Sequence, residues 1–299
     1  MTQDIPKKIK VGIIGTGNIG TDLLFKVQRS PWLECSIFSG RNLESEGIKR
    51  AAALGVHTSA DSVHAIEKDP EICEIVFDST SARGHEINAP ILRKLRKFVI
   101  DLTPSRIGPM CIPAIDIKDG VIRDNVNMVT CGGQATVPIA KAIMAVHPET
   151  SYIEVVGSIS SKSAGAGTRS NIDEYTQTTK DAIEHYTGVK KAKAIIILNP
   201  AEPSVWMHNT VYADIKEPNL EKLSHAIREV EQNIQKYVPG YKVVLGPIYE
   251  NNRLTVMVQV EGAGDFLPKY SGNLDIITSA AVRVAEEYAK RKLEVKNDL

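Results

Sequence analysis

Ile9-Lys10-Val11-Gly12-Ile13-Ile14-Gly15-Thr16-Gly17-Asn18-Ile19-Gly20 is the stretch on which the fold turns. Ile9 to Ile14 is a short apolar run, the pattern of a strand buried on both faces of a parallel sheet. Glycine-rich sequence follows at once, then a helical pattern through Leu23, Leu24 and Val27 to Ser30. Pro31 stops that helix, and Leu33 to Phe38 reads as a second strand. A G-x-G-x-x-G alone is weak evidence. Placed after a strand, before a helix and inside a βαβ unit of about 30 residues, it marks a dinucleotide-binding loop. The first glycine makes the tight turn, the second admits the pyrophosphate, and the third lets helix pack on strand.

Working outward, that fingerprint expects an acid about 20 residues on, to hold the ribose hydroxyls. Here the chain reads Ser39-Gly40-Arg41-Asn42. Arg41 suits an adenine face or a 2′-phosphate as well as open solvent, so NAD against NADP stays open. The α/β alternation continues with helices at Ser45 to Leu54, Asp61 to Lys68 and His85 to Lys97, and strands at Ile75 to Asp78 and Phe98 to Leu102. His85 opens a helix and is expected to cap it or face solvent. Asp78 to Ala82 ends its strand on small polar residues, where a doubly wound sheet places its ligand crevice.

A second chemical signal lies at Asn127-Met128-Val129-Thr130-Cys131-Gly132-Gly133-Gln134-Ala135-Thr136. A β-type run ends at a cysteine, and a helical pattern runs from Thr136 to Val146. A thiol there faces free helix N–H groups and the positive end of a dipole, a setting that lowers its pKa. The N–H groups of Cys131 and Gly132 are candidate donors to an oxyanion. A small buried cysteine before a tight turn is the plainer reading.

Beyond it the texture changes. Strands are expected at Tyr152 to Ser161, Ala194 to Leu198, Thr210 to Ile215, Tyr241 to Leu245 and Leu254 to Val260. Strand follows strand near the end, which predicts a second, α+β domain. Ser161 to Asn171 is a small-residue loop with one lysine and one arginine, suited to anions or carbonyls. The boundaries are placed at residues 1–131 for the nucleotide domain and 132–273 for the catalytic and oligomerisation domain. An amphipathic helix over 274–293 is expected to pack back on the first.

Composition limits the rest. Lys plus Arg and Asp plus Glu are both 36 in 299 residues, so no global field recruits nucleic acid or anionic membrane. Cys35, Cys73, Cys111 and Cys131 have no metal-ligand spacing. With no signal-like N-terminus or membrane-length run, the reading is a cytoplasmic protein with reduced thiols and no metal.

Together these stretches resemble the acylating acetaldehyde dehydrogenases partnered with 4-hydroxy-2-oxovalerate aldolase in aromatic hydrocarbon catabolism. The resemblance rests on Gly15 to Leu23, Ile100 to Pro104, the Cys131 stretch, Ser161 to Asn171, Asn199 to Pro203 and Gly272 to Asp275, in family order. It implies a fold like that of glyceraldehyde-3-phosphate dehydrogenase, a Rossmann-type domain plus an α+β domain. The implied reaction turns acetaldehyde, NAD and coenzyme A into acetyl-CoA and NADH through a thioester on Cys131. NAD contacts are implied for Gly15, Thr16, Gly17, Asn18, Ile19 and Gly20. They are implied also for Ser163, Ala164, Gly165, Ala166, Gly167, Thr168, Arg169, Ser170, Asn171 and Asn273. Asn171 and Ile172 match the mouth of an aldehyde tunnel, and a homodimer within a hetero-oligomer with the aldolase is implied.

Four departures stand out, one of them a segment between Tyr241 and Glu261 that is shorter than in many members. The family usually has proline at Ala166, alanine at Ser170, and at Asn209 an aspartate proposed as base. Asn209 is therefore read as an orienting catalytic residue, with water or a preformed thiolate taking the base's part. His208 is its neighbour, expected on the opposite strand face. Two rivals share the architecture: a semialdehyde or acyl-phosphate reductase, which needs a cationic cluster, and a non-catalytic nucleotide-gated subunit of an aldolase complex.

Overall fold

The computed structural model describes residues 8–121 and 123–297. The chain divides into two compact units, residues 1–128 with 278–299, and residues 129–277.

The first unit alternates strands and helices: β1 (Ile9–Ile14), α1 (Asn18–Arg29), β2 (Leu33–Ser39), α2 (Glu46–Ala53) and the short β3 (Thr58–Ser59). There follow α3 (Val63–Lys68), β4 (Ile75–Asp78), α4 (Ala82–Lys94), β5 (Phe98–Asp101), α5 (Pro113–Gly120) and β6 (Asn125–Asn127). The six strands are parallel in the order β3-β2-β1-β4-β5-β6. Chain direction across the sheet reverses between β1 and β4, and their carboxyl ends frame the crevice of a doubly wound fold. The central strands are apolar throughout because helices cover both faces: Val11, Ile13, Ile14, Ile75, Val76 and Phe77 are all inaccessible. Helix α1 buries Leu23, Leu24 and Val27 and ends at Ser30, whose extended backbone suits the residue before Pro31.

In the second unit, α6 (Cys131–Val146) is followed by β7 (Tyr152–Ser160), α7 (Ala166–Ser170), α8 (Ile172–Thr187) and β8 (Lys191–Asn199). The chain continues through β9 (Met207–Asp214), α9 (Leu220–Gln235), β10 (Tyr241–Glu250) and β11 (Arg253–Val260). The mixed sheet runs β10-β11-β9-β7-β8, with only β7 and β8 parallel. Helices α6, α8 and α9 pack on one another and on the sheet. Met207, Val211, Ala213, Val256 and Val258 are buried there, in the alternating pattern of a half-covered sheet. Asn251 and Asn252, both at positive φ, close the β10–β11 hairpin as a two-residue turn.

The last helix, α10 (Gly272–Asn297), contributes its residues from Thr278 onward to the first unit. There Thr278 Oγ1 donates to Asp22 Oδ2 at 2.5 Å, and Tyr288 stacks on Phe98 with centroids 4.5 Å apart.

Candidate active site

The glycines of the first unit divide their work as the fingerprint requires. Gly15 turns at φ +107°, and a Cβ there would meet Ser79 Oγ at 2.6 Å. A Cβ on Gly20 would lie 1.9 Å from Gly15 O, so this contact admits no side chain. A Cβ on Gly17 would meet nothing within 4 Å, which leaves room over the loop. Gly17 caps α1 without a side-chain bond, and the first turn carries no acid, so its N–H groups are free for an anion. Ser79 Oγ donates to the carbonyls of Ile14 and Gly15, at 3.0 and 3.2 Å, and fixes the loop to β4. These residues fit a dinucleotide pyrophosphate. Arg41 stands exposed just past the end of β2.

The carboxyl ends of β4 and β5 hold a buried polar cluster. His85 Nδ1 lies 2.9 Å from Asp78 Oδ2 and Nε2 lies 3.6 Å from Asp101 Oδ2. Asn88 and Thr80 also donate to Asp78, and Ser105 and Thr103 donate to Asp101. Burial opposes charge on His85, but the Asp78 hydrogen bond and the Asp101 charge outweigh it and raise its pKa. Burial lifts Asp101 to about 6 despite the imidazole beside it. His85 is fully buried, so the expected surface or capping role is corrected. Ser81 is the cap of α4, accepting from Gly84 N. The cluster ties the β4–α4 turn, one wall of the crevice, to the loop after β5.

In the second unit the helix begins at Cys131 itself, not at Thr136. Thr130 is its N-cap, with Oγ1 accepting from Gly133 N at 2.9 Å. The residue before it, Val129, is held at φ +62°, a strained conformation for a β-branched residue. A Cβ on Gly133 would strike Val129 Cγ1 at 2.6 Å, so the second glycine gives that strained turn room.

The thiol meets Tyr175 of α8, with Cys131 Sγ 3.7 Å from Tyr175 Oη. A Cβ on Gly132 would sit 2.1 Å from that same hydroxyl, so the first glycine admits the tyrosine. Thr130 and Thr179 hydroxyls, 2.7 Å apart, pin α8 to the start of α6. Burial pushes the Cys131 thiol up to about 11, against the Tyr175 hydroxyl and the Gly132 and Cys131 N–H groups, which pull it down. The expected lowering by the helix terminus is therefore corrected: desolvation of the sulfur is larger. Cys131 still keeps part of its surface, whereas Cys35, Cys73 and Cys111 are buried.

A thiol at a helix start, a nucleotide loop and an α+β second unit narrow the possibilities, and known proteins decide among them. A family model described as prokaryotic acetaldehyde dehydrogenase, dimerisation, matches residues 131–268. Another, described as semialdehyde dehydrogenase, NAD binding domain, matches residues 10–114. The acetaldehyde dehydrogenase of Pectobacterium atrosepticum is 52% identical over 285 residues, 95% of this chain and 96% of that one. That of Geobacillus stearothermophilus is 50% identical over 288 residues, covering 96% and 98%. The chain belongs to the acetaldehyde dehydrogenase family.

The family's fold reaches further than its sequence. Aspartate semialdehyde dehydrogenase from Candida albicans, solved with NADP, superposes with a TM-score of 0.67 at 12% identity, covering 96% of this chain and 100% of that one. The Vibrio cholerae enzyme gives 0.63 at 15% identity, covering 95% and 99%. At such identities the likeness concerns the fold alone.

The other residues singled out in this family member lie as follows. Asn209 is 1% exposed in β9, opposite Gly157 of β7, where a Cβ would meet Asn209 Oδ1 at 2.7 Å. Its Nδ2 has no hydrogen-bond partner. His208 bonds Trp206 O and Gln259 Oε1, at 3.0 and 3.1 Å.

Ser161 to Asn171 is not an irregular loop. It forms a 3-10 turn (Ser161–Ser163) and α7, and Asn171 caps α8. Arg169 donates to Ala164 O and to Ser161 O and Oγ, and Lys162 pairs with Glu202 at 2.6 Å. Both cations the acyl-phosphate alternative would need are thus engaged within the unit. Ser163 is buried and donates to Ser160 O, and Asn273, 2% exposed, leaves Oδ1 without a partner. Tyr175, which the sequence did not single out, is the residue the fold brings to the Cys131 thiol.

Proposed function

We propose that this protein catalyses the NAD-dependent, coenzyme A-acylating oxidation of acetaldehyde, or a similar short aldehyde, with Cys131 as nucleophile. The observation that carries the reading is the Cys131 thiol at the first residue of α6, hydrogen-bonded to Tyr175 and facing N–H groups of its own turn. Family membership supplies the reaction class.

The thiol gives up its proton and sulfur attacks the aldehyde carbon, turning the carbonyl into an oxyanion. N–H groups at the start of α6 favour negative charge there. NAD, when bound, would supply the acceptor for the hydride that this carbon gives up, and Gly15, Gly17 and Gly20 with the start of α1 would hold its pyrophosphate. A thioester on Cys131 results. The thiol of coenzyme A then attacks that thioester, the acyl group passes across, and the Cys131 thiolate is released. Asn209 orients a reactant through its unpaired Nδ2 and does not act as base, since a neutral amide accepts no proton.

The deciding assay measures aldehyde-dependent NADH formation with and without coenzyme A. The expected result is sustained turnover only with coenzyme A, abolished in Cys131→Ser while NAD still binds. Iodoacetamide should label Cys131 ahead of the three buried cysteines. Turnover that requires phosphate would favour the acyl-phosphate alternative, and no NADH under any condition would favour the gating subunit.

The same reading gives the protein a cytoplasmic setting and places it in a homodimer that binds 4-hydroxy-2-oxovalerate aldolase. Co-purification of the two proteins by size exclusion tests the complex, and separate elution at micromolar concentration would remove it. No helix among the described residues is long and apolar enough to cross a membrane.

A further inference from the structure

Tyr175 lies on α8, and its hydroxyl reaches the first turn of α6. Three observations converge on that oxygen, and a fourth fixes the backbone of Tyr175. It is 3.7 Å from Cys131 Sγ. A Cβ on Gly132 would lie 2.1 Å from it, so the helix start is shaped to receive it. The Gly132 N–H at the helix start faces it and favours negative charge there. Its backbone is held by Tyr175 N to Asn171 O at 2.9 Å, and Thr179 Oγ1 donates to Tyr175 O at 2.8 Å.

In the resting thiol, S–H donates to Oη. When sulfur carries charge it is an acceptor only, and the bond reverses, with the phenolic O–H donating to sulfur. The Gly132 N–H facing the phenolic oxygen favours charge on it and so strengthens that O–H as a donor. Burial holds the phenol neutral, well above its ordinary range, so the donor is present at every working pH. Among the described residues, the groups that act on the thiol besides burial are the Tyr175 hydroxyl and the Gly132 and Cys131 N–H groups. Tyr175 is the titratable side chain facing it from α8, and the neutral Asn209 belongs to β9.

Resting on the reading of Cys131 as nucleophile, we propose that Tyr175 is a second catalytic residue. Its hydroxyl donates to Sγ each time the sulfur is negative: when the thiolate forms to attack the aldehyde, and when coenzyme A expels it from the thioester. The thiol proton leaves to water in the first event. In the second the S–C electron pair returns to sulfur and is met by the same O–H. One donor thus favours both attack and departure.

The test is Tyr175→Phe, read by the rate of iodoacetamide alkylation of Cys131 between pH 7 and 9. A hydrogen bond to a charged group changes thiol acidity about ten- to a hundredfold. A less acidic thiolate is the better nucleophile, and roughly half the effect survives on a logarithmic scale. Alkylation should therefore slow about three- to tenfold at each pH, with NAD affinity unchanged. A second variant separates chemistry from packing. Placing 3-fluorotyrosine at position 175 makes the O–H a stronger donor and should speed alkylation, which loosened packing does not predict. Wild-type alkylation rates in Tyr175→Phe, or slowing by the fluorinated residue, would overturn the proposal. Turnover surviving in Cys131→Ser would instead overturn the nucleophile assignment, so the two failures are distinguishable.

Discussion

A buried amide nitrogen without an acceptor costs about 1–3 kcal/mol, and Asn209 Nδ2 is one such group. The strand geometry turns His208 to the other face, where both ring nitrogens have partners. Asn209→Asp should keep or raise the turnover rate, Asn209→Ala should lose part of it, and His208→Ala should change it little. A loss beyond about a hundredfold in His208→Ala, the lower end of a general base's contribution, would make the histidine the base. Legibility at this scale follows distance along the chain. The Cys131 stretch stood out because its glycines are its neighbours in sequence. Tyr175 is 44 residues away, and a tyrosine on the inner side of a helix reads as core until the fold brings it to the sulfur. His85 was misread because its carboxylate partners end different strands. The lowered thiol pKa was misread because helix N–H groups are visible in sequence and the desolvation opposing them is not.

Each element that carries the site is punctuated by glycine, and the punctuation has separable consequences. Gly17→Val fills the open space above the loop and should abolish NAD binding while the thermal midpoint stays close to wild type. Gly20→Ala drives a methyl toward Gly15 O and should lower stability instead. Fluorescence titration with NADH and a melting curve separate the two, and equal destabilisation of both would remove Gly17 from the binding role. Arg41→Ala should reduce any use of NADP more than that of NAD, a comparison of kcat/KM for the two cofactors. The β1–α1–β2 unit was legible because the apolar run, the glycines and Pro31 are local signals. The start of α6 was displaced from Thr136 to Cys131 because the Thr130 cap makes the glycines a helical turn. The Ser161 to Asn171 segment looked loose for a related reason: its order comes from Arg169 bonding back to carbonyls, which composition does not reveal.

Over the whole chain, two consequences of burial can be measured. Cys35 and Cys73 are raised from 9.0 to about 12, and Cys111 well above 9.0, all by burial first. A raised acid stabilises the fold fully below its unfolded pKa, and that contribution is lost as pH rises through the folded value. Between pH 9 and 12 each thiol should therefore cost stability, about 1.4 kcal/mol apiece by pH 10. Urea midpoints that stay level from pH 8 to 10 would contradict it. The second consequence concerns the sheet of the second unit, whose helices cover one face. On the other face Leu245, Met257, Thr210, Val156 and Ile195 stand opposite one another in a row across all five strands. Leu245 is 42% exposed, Ile248 39%, and Ile197, in the next row, 47%. An apolar patch of this kind on a half-covered sheet marks an association surface. The segment it belongs to matches the family's dimerisation model. A two-fold dimer would set the same rows against each other, burying each patch with its own copy. A charge placed there occurs twice in the contact, near its own image. Ile197→Glu combined with Leu245→Glu should therefore give monomers by light scattering at concentrations where the wild type is dimeric. Both substitutions lie outside the helix-covered core, so the far-ultraviolet circular dichroism should be retained. A dimer that persists with both glutamates would move the interface to another surface.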